Sequence, residues 1–287
     1  MKSKKRYLII FIVLFLFFII FFLIFKNYHK DDLLEITFID VGQGDSILIE
    51  TPNGKQVLVD GGRGEVILSK LIKLLPFFDK KLDIIINTNA DEDHLGGFLK
   101  VLDYYKVPLV IESGVENTTF TYKNFQKEIE EKNIKKIIGK KGDQIILDEE
   151  NNIYLDILFP DRDVTGWERN DASLVMKLVY GNTSFLLMGD ATKYSENIIR
   201  WNEKKKYLDS DVLKLGHHGS DTSSGYYFLE LVDPDLAIIS AGKDNKYGHP
   251  DKEVLDNLEK LNIKYLGTYE EGDIVIKSDG EKVIHKK

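Results

Sequence analysis

Cysteine is absent from all 287 residues. That removes disulfides, thiolate metal ligands and a thiol nucleophile together. It fits a life outside the cytoplasm. Proline is scarce, at six residues, so no proline-rich spacer divides the chain. An excess of positive charge is missing too: 39 basic against 47 acidic residues give a net charge of −8. The surface as a whole is therefore not built to grip a polyanion, although a local basic patch still can. No internal repeat of fixed period is visible. A metal site in this chain has to be assembled from histidine and carboxylate. The 43% apolar content supports one sizeable core, in one large domain or two small ones.

One long apolar run stands out. Lys2, Lys4, Lys5 and Arg6 precede Tyr7–Phe25, 19 residues drawn only from Tyr, Leu, Ile, Phe and Val. At about 1.5 Å per residue a helix of this length nearly spans a hydrocarbon core. Lys26-Asn27-Tyr28-His29-Lys30 follows, without the small residues of a cleavage site. This reads as an uncleaved signal anchor in the cell membrane. The basic end stays in the cytoplasm and the rest lies outside. A cleaved signal peptide would export the same domain. Residues 1–32 are thus read as basic terminus, single-pass anchor and linker, and residues 33–287 as one domain.

Within that domain, Leu33–Asp40 and Ser46–Thr51 read as strands, and Pro52-Asn53-Gly54-Lys55 as the turn of a hairpin to Gln56–Asp60. Helical spacing covers Glu65–Leu75, Phe98–Tyr105, Tyr122–Lys132, Tyr194–Lys206, Gly225–Val232 and Lys252–Leu261. Leu82–Asn87 is a nearly continuous apolar strand, as a strand covered on both faces would be. Asp143–Leu147 and Ile153–Phe159 read as strands of a second sheet, and Ser173–Tyr180 with Thr183–Met188 as a hairpin across Gly181-Asn182. Strands, helix and an acidic strand end occur and then recur. The expected fold is α/β, an αββα sandwich of two mixed sheets with helices outside.

Of six histidines, His94, His217, His218 and His249 fall in loops directly after expected strands. Such loops are where open sheets place ligands. Asp91, Asp93 and His94 form an Asp-x-Asp-His group whose carboxylates and imidazole suit zinc, manganese or iron. The competing reading is a solvated acidic turn that caps the next helix. Asp190 ends the strand Phe185–Gly189 and is either a bridging ligand or an N-cap. His217 and His218 sit between Gly216 and Gly219, which permit close approach of a ligand. His249 precedes Pro250. Lys243, Lys246 and Tyr247 are nearby phosphate-holding candidates. Lys135–Lys141 is the most basic segment outside the N-terminus. It is read as a nucleic-acid backbone contact or, preferably, as a solvated face.

Together these motifs resemble the metallo-β-lactamase superfamily and, within it, the hydrolase domain of ComEC-type DNA-uptake proteins. The resemblance rests on Asp40–Asp45, Val59–Gly62, Asp91–Gly97, Asn170–Val175, Leu187–Asp190, Lys214–Ser220 and Tyr247–Pro250. It implies the αββα fold with metal at one edge. It implies Asp91, Asp93, His94, Asp190 and His217 or His218 as ligands. Asp60 is implied as a brace for the metal loops. Ser220 and His249 are placed near substrate, and Asp93 and His249 are the candidate catalytic groups. The chain departs from the family at Asn89, where a histidine usually stands. It departs again at Asn170–Ser173, where a mid-chain histidine would be sought. Asn89 weakens the first of two metal positions.

The expected cofactor is accordingly a divalent metal, zinc or manganese, as one or two ions. The expected function is a membrane-anchored phosphodiesterase or nuclease that activates water, with single-stranded DNA as candidate substrate. A DNA-uptake role would call for a separate channel protein. The alternatives are a metallo-hydrolase of a lactone, ester or β-lactam, and a non-catalytic surface binding protein that keeps the fold.

Overall fold

The computed structural model describes residues 2–28 and 33–285. A helix runs over Lys2–Tyr28, and within it Lys4–Phe22 is long and apolar enough to cross a membrane. The expected linker at residues 29–32, including His29, lies outside the described residues.

Two sheets follow. In chain order the strands are β1 (Leu34–Phe38), β2 (Ile47–Glu50), β3 (Gln56–Val59), β4 (Ile84–Asn87), β5 (Leu109–Glu112), β6 (Lys135–Ile138), β7 (Gln144–Asp148) and β8 (Ile153–Phe159). The rest are β9 (Val175–Tyr180), β10 (Thr183–Leu187), β11 (Val212–Lys214), β12 (Leu236–Ile239), β13 (Lys264–Gly267), β14 (Ile274–Ser278) and β15 (Val283–His285). The first sheet has the order β15-β14-β1-β2-β3-β4-β5-β6 and the second β13-β12-β11-β10-β9-β8-β7. Both are mixed. β3 to β6 pair in parallel, as do β10 to β13, and the other pairings are antiparallel.

The two-residue period of a strand explains the layers. Ile47 and Ile49 of β2, Ile84 and Ile86 of β4, and Phe185 and Leu187 of β10 face the core between the sheets. The intervening residues face outward. Leu48 and Ile85 pack under helices Val66–Leu74, Phe98–Tyr104 and Phe120–Glu131 through Ile67, Leu71, Phe98 and Phe125. Leu186 and Leu213 pack under helices Lys193–Asn202, Tyr226–Val232 and Lys252–Lys260 through Ile199, Leu229 and Leu258. Each such side chain contributes about 1.5–3 kcal/mol by leaving water. The expected four-layer αββα sandwich is what the chain forms.

One local expectation differs. Tyr194–Lys206 is not one helix: Lys193–Asn202 and Lys205–Leu208 are separated by extended backbone at Glu203 and Lys204. The Glu203 carboxylate pairs with Lys141 Nζ at 2.6 Å, a tertiary contact that local spacing does not reveal. The basic segment Lys135–Lys141 supplies the edge strand β6. Lys136 pairs with Glu112 and Lys141 with Glu203, so part of its charge is neutralised on the spot.

Candidate metal centre

The chemistry gathers where parallel strands end. Asp60 follows β3, Thr88–His94 follow β4, Asp190 follows β10, and His217-His218 follow β11. Asp60 is buried, in the left-handed region at φ +55°. Its Oδ1 accepts from the Thr88 N–H (2.8 Å) and its Oδ2 from the Thr88 hydroxyl (2.6 Å). The same Oδ2 lies 2.9 Å from His94 Nδ1. A carboxylate there assigns the proton to Nδ1 and turns the bare Nε2 inward. His94 is fully buried, and Nε2 comes within 2.9 Å of Asp190 Oδ2 without a hydrogen bond.

His217 and His218 both adopt left-handed backbone, at φ +45° and +57°. Two consecutive residues in this costly region send their rings apart. His218 turns inward. Its Nδ1 lies 3.0 Å from the Ser240 carbonyl, and its Nε2 lies 3.5 Å from Asp190 Oδ1 and 3.6 Å from Asp93 Oδ2. His217 stays at the rim, with Nδ1 2.7 Å from Thr222 Oγ1. Gly189, at φ +51°, is required before Asp190: a Cβ there would meet Thr88 Oγ1 at 2.7 Å.

Beneath the rings, Lys214 and Asp45 are sealed from solvent at 0% and 1% exposure. Lys214 Nζ donates to Asp45 Oδ2 and to the Gly189 carbonyl (3.0 Å).

The donor set fits a divalent cation. His94 Nε2, His218 Nε2, Asp190 Oδ1 and Asp45 Oδ1 are buried without a hydrogen-bond partner. Orphaned atoms of this kind are costly unless something else binds them. Asp93, His94 and His218 each bring one donor atom within 4.8 Å of the others. Two further groups, Asp45–Asp60–His94 and Asp45–Asp190–His218, share Asp45, whose charge Lys214 already balances.

Charge points the same way. Burial pushes the Asp190 carboxyl up, but His218 and His94 outweigh it and hold it well below the usual range. Burial lowers His218, yet Asp190 and Asp45 push it up to about 10. His94 is raised well above its ordinary value, with Asp190 and Asp60 overcoming burial. Carboxylates that drag two buried imidazoles toward protonation form a pocket that demands positive charge.

Above these residues opens a cleft of about 260 Å³. Gln43, Arg63, Asn170, Tyr247 and His249 line it beside the acidic and histidine groups. His249 Nδ1 is buried without a partner, and burial followed by the neighbouring His218 and His217 lowers this ring. Tyr247 stacks on His249 with centroids 5.7 Å apart and planes at 24°. A larger cleft of about 430 Å³ on the second sheet is lined by Asp156, Lys177, Asp209 and Asp211. No histidine lines it, and Lys177 Nζ donates to the Tyr207 and Asp209 carbonyls.

Residues 39–243 match the model of the metallo-beta-lactamase superfamily. The chain belongs to that superfamily. It is 33% identical to ComE operon protein 3 of Bacillus subtilis, a match covering 84% of this chain and 32% of the relative. It is 30% identical to Recombination protein 2 of Haemophilus influenzae, over 84% and 28% respectively. The chain thus spans about a third of the length of the curated relatives it matches. Igni18, a metallo hydrolase of the archaeon Ignicoccus hospitalis, shares the fold with a TM-score of 0.52 at 12% identity, over 89% of this chain and 99% of that one. The metallo-hydrolase fold and the competence-type relatives agree with the resemblance carried by the motifs.

Not every residue expected to serve this superfamily site reaches it. Asp93, His94, Asp190 and His218 converge, whereas His217 and Asp91 stand outside all three donor groups. The rim position of His217 follows from the ring divergence described above. Asp91 Oδ1 instead accepts from Arg169 Nε and from Asn117 Nδ2 (3.0 Å). Asn89 is buried, with Nδ2 donating to Asn170 Oδ1 at 2.8 Å. Ser220 is buried behind the rim, where its Oγ accepts from Thr222 Oγ1 at 3.0 Å. Lys243 and Lys246 do not line the histidine cleft. Asn245 Nδ2 donates to the Gly242 and His249 carbonyls, and this brace turns the loop so that Lys243 lines a neighbouring groove and Lys246 lies over Tyr247. Sequence reasoning gave no role to Asp45, Lys214, Arg63 or Arg169. Asp45 and Lys214 were signalled only as polar residues inside glycine-flanked motifs.

Proposed function

We propose that this chain is a membrane-anchored, metal-dependent phosphodiesterase whose hydrolase domain, residues 33–287, faces outward. The observation that carries this reading is the meeting of His94 Nε2, His218 Nε2, Asp93 and Asp190 at the floor of an open cleft. The four residues would hold the ion. When bound, a divalent ion supplies Lewis-acid polarisation of a phosphoryl oxygen and lowers the pKa of a water to near neutrality.

The other steps belong to the protein. Asp60 fixes the His94 ring, and the Ser240 carbonyl fixes His218. Asp93, open to the cleft, accepts a hydrogen bond from the attacking water and aims it. His249 lines the cleft, where an imidazole N–H would stabilise the charge that develops on a phosphoryl or leaving oxygen. Arg63 and Tyr247 border the cleft and meet the charge and rings of a nucleic-acid strand.

Competence-type relatives and an exposed ring beside the cleft favour single-stranded DNA as substrate. Lys2, Lys4, Lys5 and Arg6, ahead of the apolar run Tyr7–Phe25, favour the outward orientation. A role in DNA uptake would pair the chain with a separate channel protein.

The test uses the full chain in detergent, stripped with chelator and reloaded with manganese or zinc. Cleavage of a single-stranded oligonucleotide and of bis(4-nitrophenyl) phosphate is expected, and nitrocefin should remain intact. A loaded protein that opens the lactam and leaves both phosphodiesters whole would overturn the reading.

A further inference from the structure

The two ends of the cleft treat a cation differently. At the His94–His218 end lone pairs are left over: His94 Nε2, His218 Nε2 and Asp190 Oδ1 have no hydrogen-bond partner. At the Asn89–Asp91 end the polar groups are engaged with one another. Asn89 Oδ1 accepts from the Asp91 N–H at 3.0 Å, which fixes the amide. Its Nδ2 therefore points hydrogens, not lone pairs, at Asn170 Oδ1 (2.8 Å) and Ser173 Oγ (3.3 Å). Asn170 Nδ2 faces His217 Nε2 at 3.4 Å. Asp91 Oδ1 accepts from Arg169 Nε and from Asn117 Nδ2. The Arg169 and Asp91 side chains are 40% and 27% exposed, so the pair is only partly screened by solvent.

We infer that the chain binds a single divalent ion, at Asp93, His94, Asp190 and His218, and that the Arg169 guanidinium supplies at Asp91 the positive charge a second ion would bring. The inference rests on the metal-dependent reading above and deepens it. Guanidinium stays protonated at any working pH and offers donors whose geometry matches carboxylate and phosphate oxygens. Beside Asp91 it does two things. It neutralises the Asp91 carboxylate, and it repels a second cation by like charge. Asn89 completes the arrangement, because an amide that presents N–H groups is no ligand. Arg169 is therefore a positioning residue that sets how many ions the cleft accepts.

Stoichiometry tests this without an activity assay. The full chain in detergent is stripped with chelator, dialysed against manganese alone and then zinc alone, and metal per chain is measured by mass spectrometry. Wild type and Arg169→Lys are expected to saturate at one ion. Arg169→Met, with folding checked by circular dichroism, is expected to take up a second, weaker ion. Asn89→His alone should stay at one, because Arg169 still holds Asp91. Two ions in wild type would overturn the inference, as would a folded Arg169→Met that stops at one or an Asn89→His that reaches two. Should Arg169→Met fail to fold, the wild-type, Arg169→Lys and Asn89→His values decide. Wild type that binds no ion would instead overturn the metal-dependent reading on which this one stands.

Discussion

Lys214 and Asp45, 169 positions apart in the chain, form an ion pair without solvent contact directly under His218. A buried pair contributes little over an apolar substitute, but removing one partner strands the other charge. Lys214→Met should therefore lower the unfolding free energy by about 3–5 kcal/mol. Urea denaturation followed by tryptophan fluorescence measures it. Adding Asp45→Leu to Lys214→Met should recover part of the loss, and a double variant no better than the single one would show that the pair matters for another reason.

Asp60 never faces the cleft, yet it holds the Nδ1 side of His94. Asp60→Ala should weaken metal binding by about 10–100-fold, the usual cost of losing a carboxylate behind a ligand histidine. Equilibrium dialysis against manganese reads this. Unchanged affinity with intact folding would remove Asp60 from the site.

Glu196 introduces a pH dependence away from the centre. Its carboxylate accepts from the Ser224 and Gly225 N–H groups at the start of helix Tyr226–Val232, with Lys193 and Arg200 as the charges that act on it. Burial outweighs these partners and pushes the group up from 4.5 to about 7. The folded state then holds this proton more tightly than the unfolded chain does. The stability Glu196 confers is full below about pH 4.5, falls as pH rises to about 7, and is flat beyond. The difference in unfolding free energy between wild type and Glu196→Gln should fall across that window by about 3 kcal/mol. A flat difference would contradict the assignment.

Tyr247 is half exposed beside the cleft, and Phe120, 79% exposed, follows Thr119, which lines it too. Stacking of a base on an aromatic ring contributes about 1–3 kcal/mol. Tyr247→Ala should raise KM for a single-stranded oligonucleotide accordingly and leave kcat little changed. An abasic strand of equal length should not distinguish the variant from wild type. Equal loss on both strands would assign Tyr247 to the scaffold.

Layers and strand ends were readable because alternation and glycine-bounded apolar runs are local properties. Asp93, His94 and Asp190 were legible for the same reason: each lies in the connection that leaves a strand. The choice between His217 and His218 was not, since it depends on two consecutive left-handed residues and on Ser240, brought alongside by β12. Lys243 and Lys246 looked like phosphate ligands from proximity alone, whereas the Asn245 brace decides where that loop points. Asp45 read as part of a turn, and its meaning depends on a lysine in the other sheet.

The centre draws Asp93 and His94 from the first sheet and Asp190 and His218 from the second. A cation held there acts as a clasp across a seam that is also closed by apolar contact, by the Lys214–Asp45 pair and by the crossings from β6 to β7 and from β13 to β14. Loading should stiffen the seam, with about 2.7 kcal/mol gained when free metal reaches a hundred times its dissociation constant. Occupancy and integrity then become one measurement.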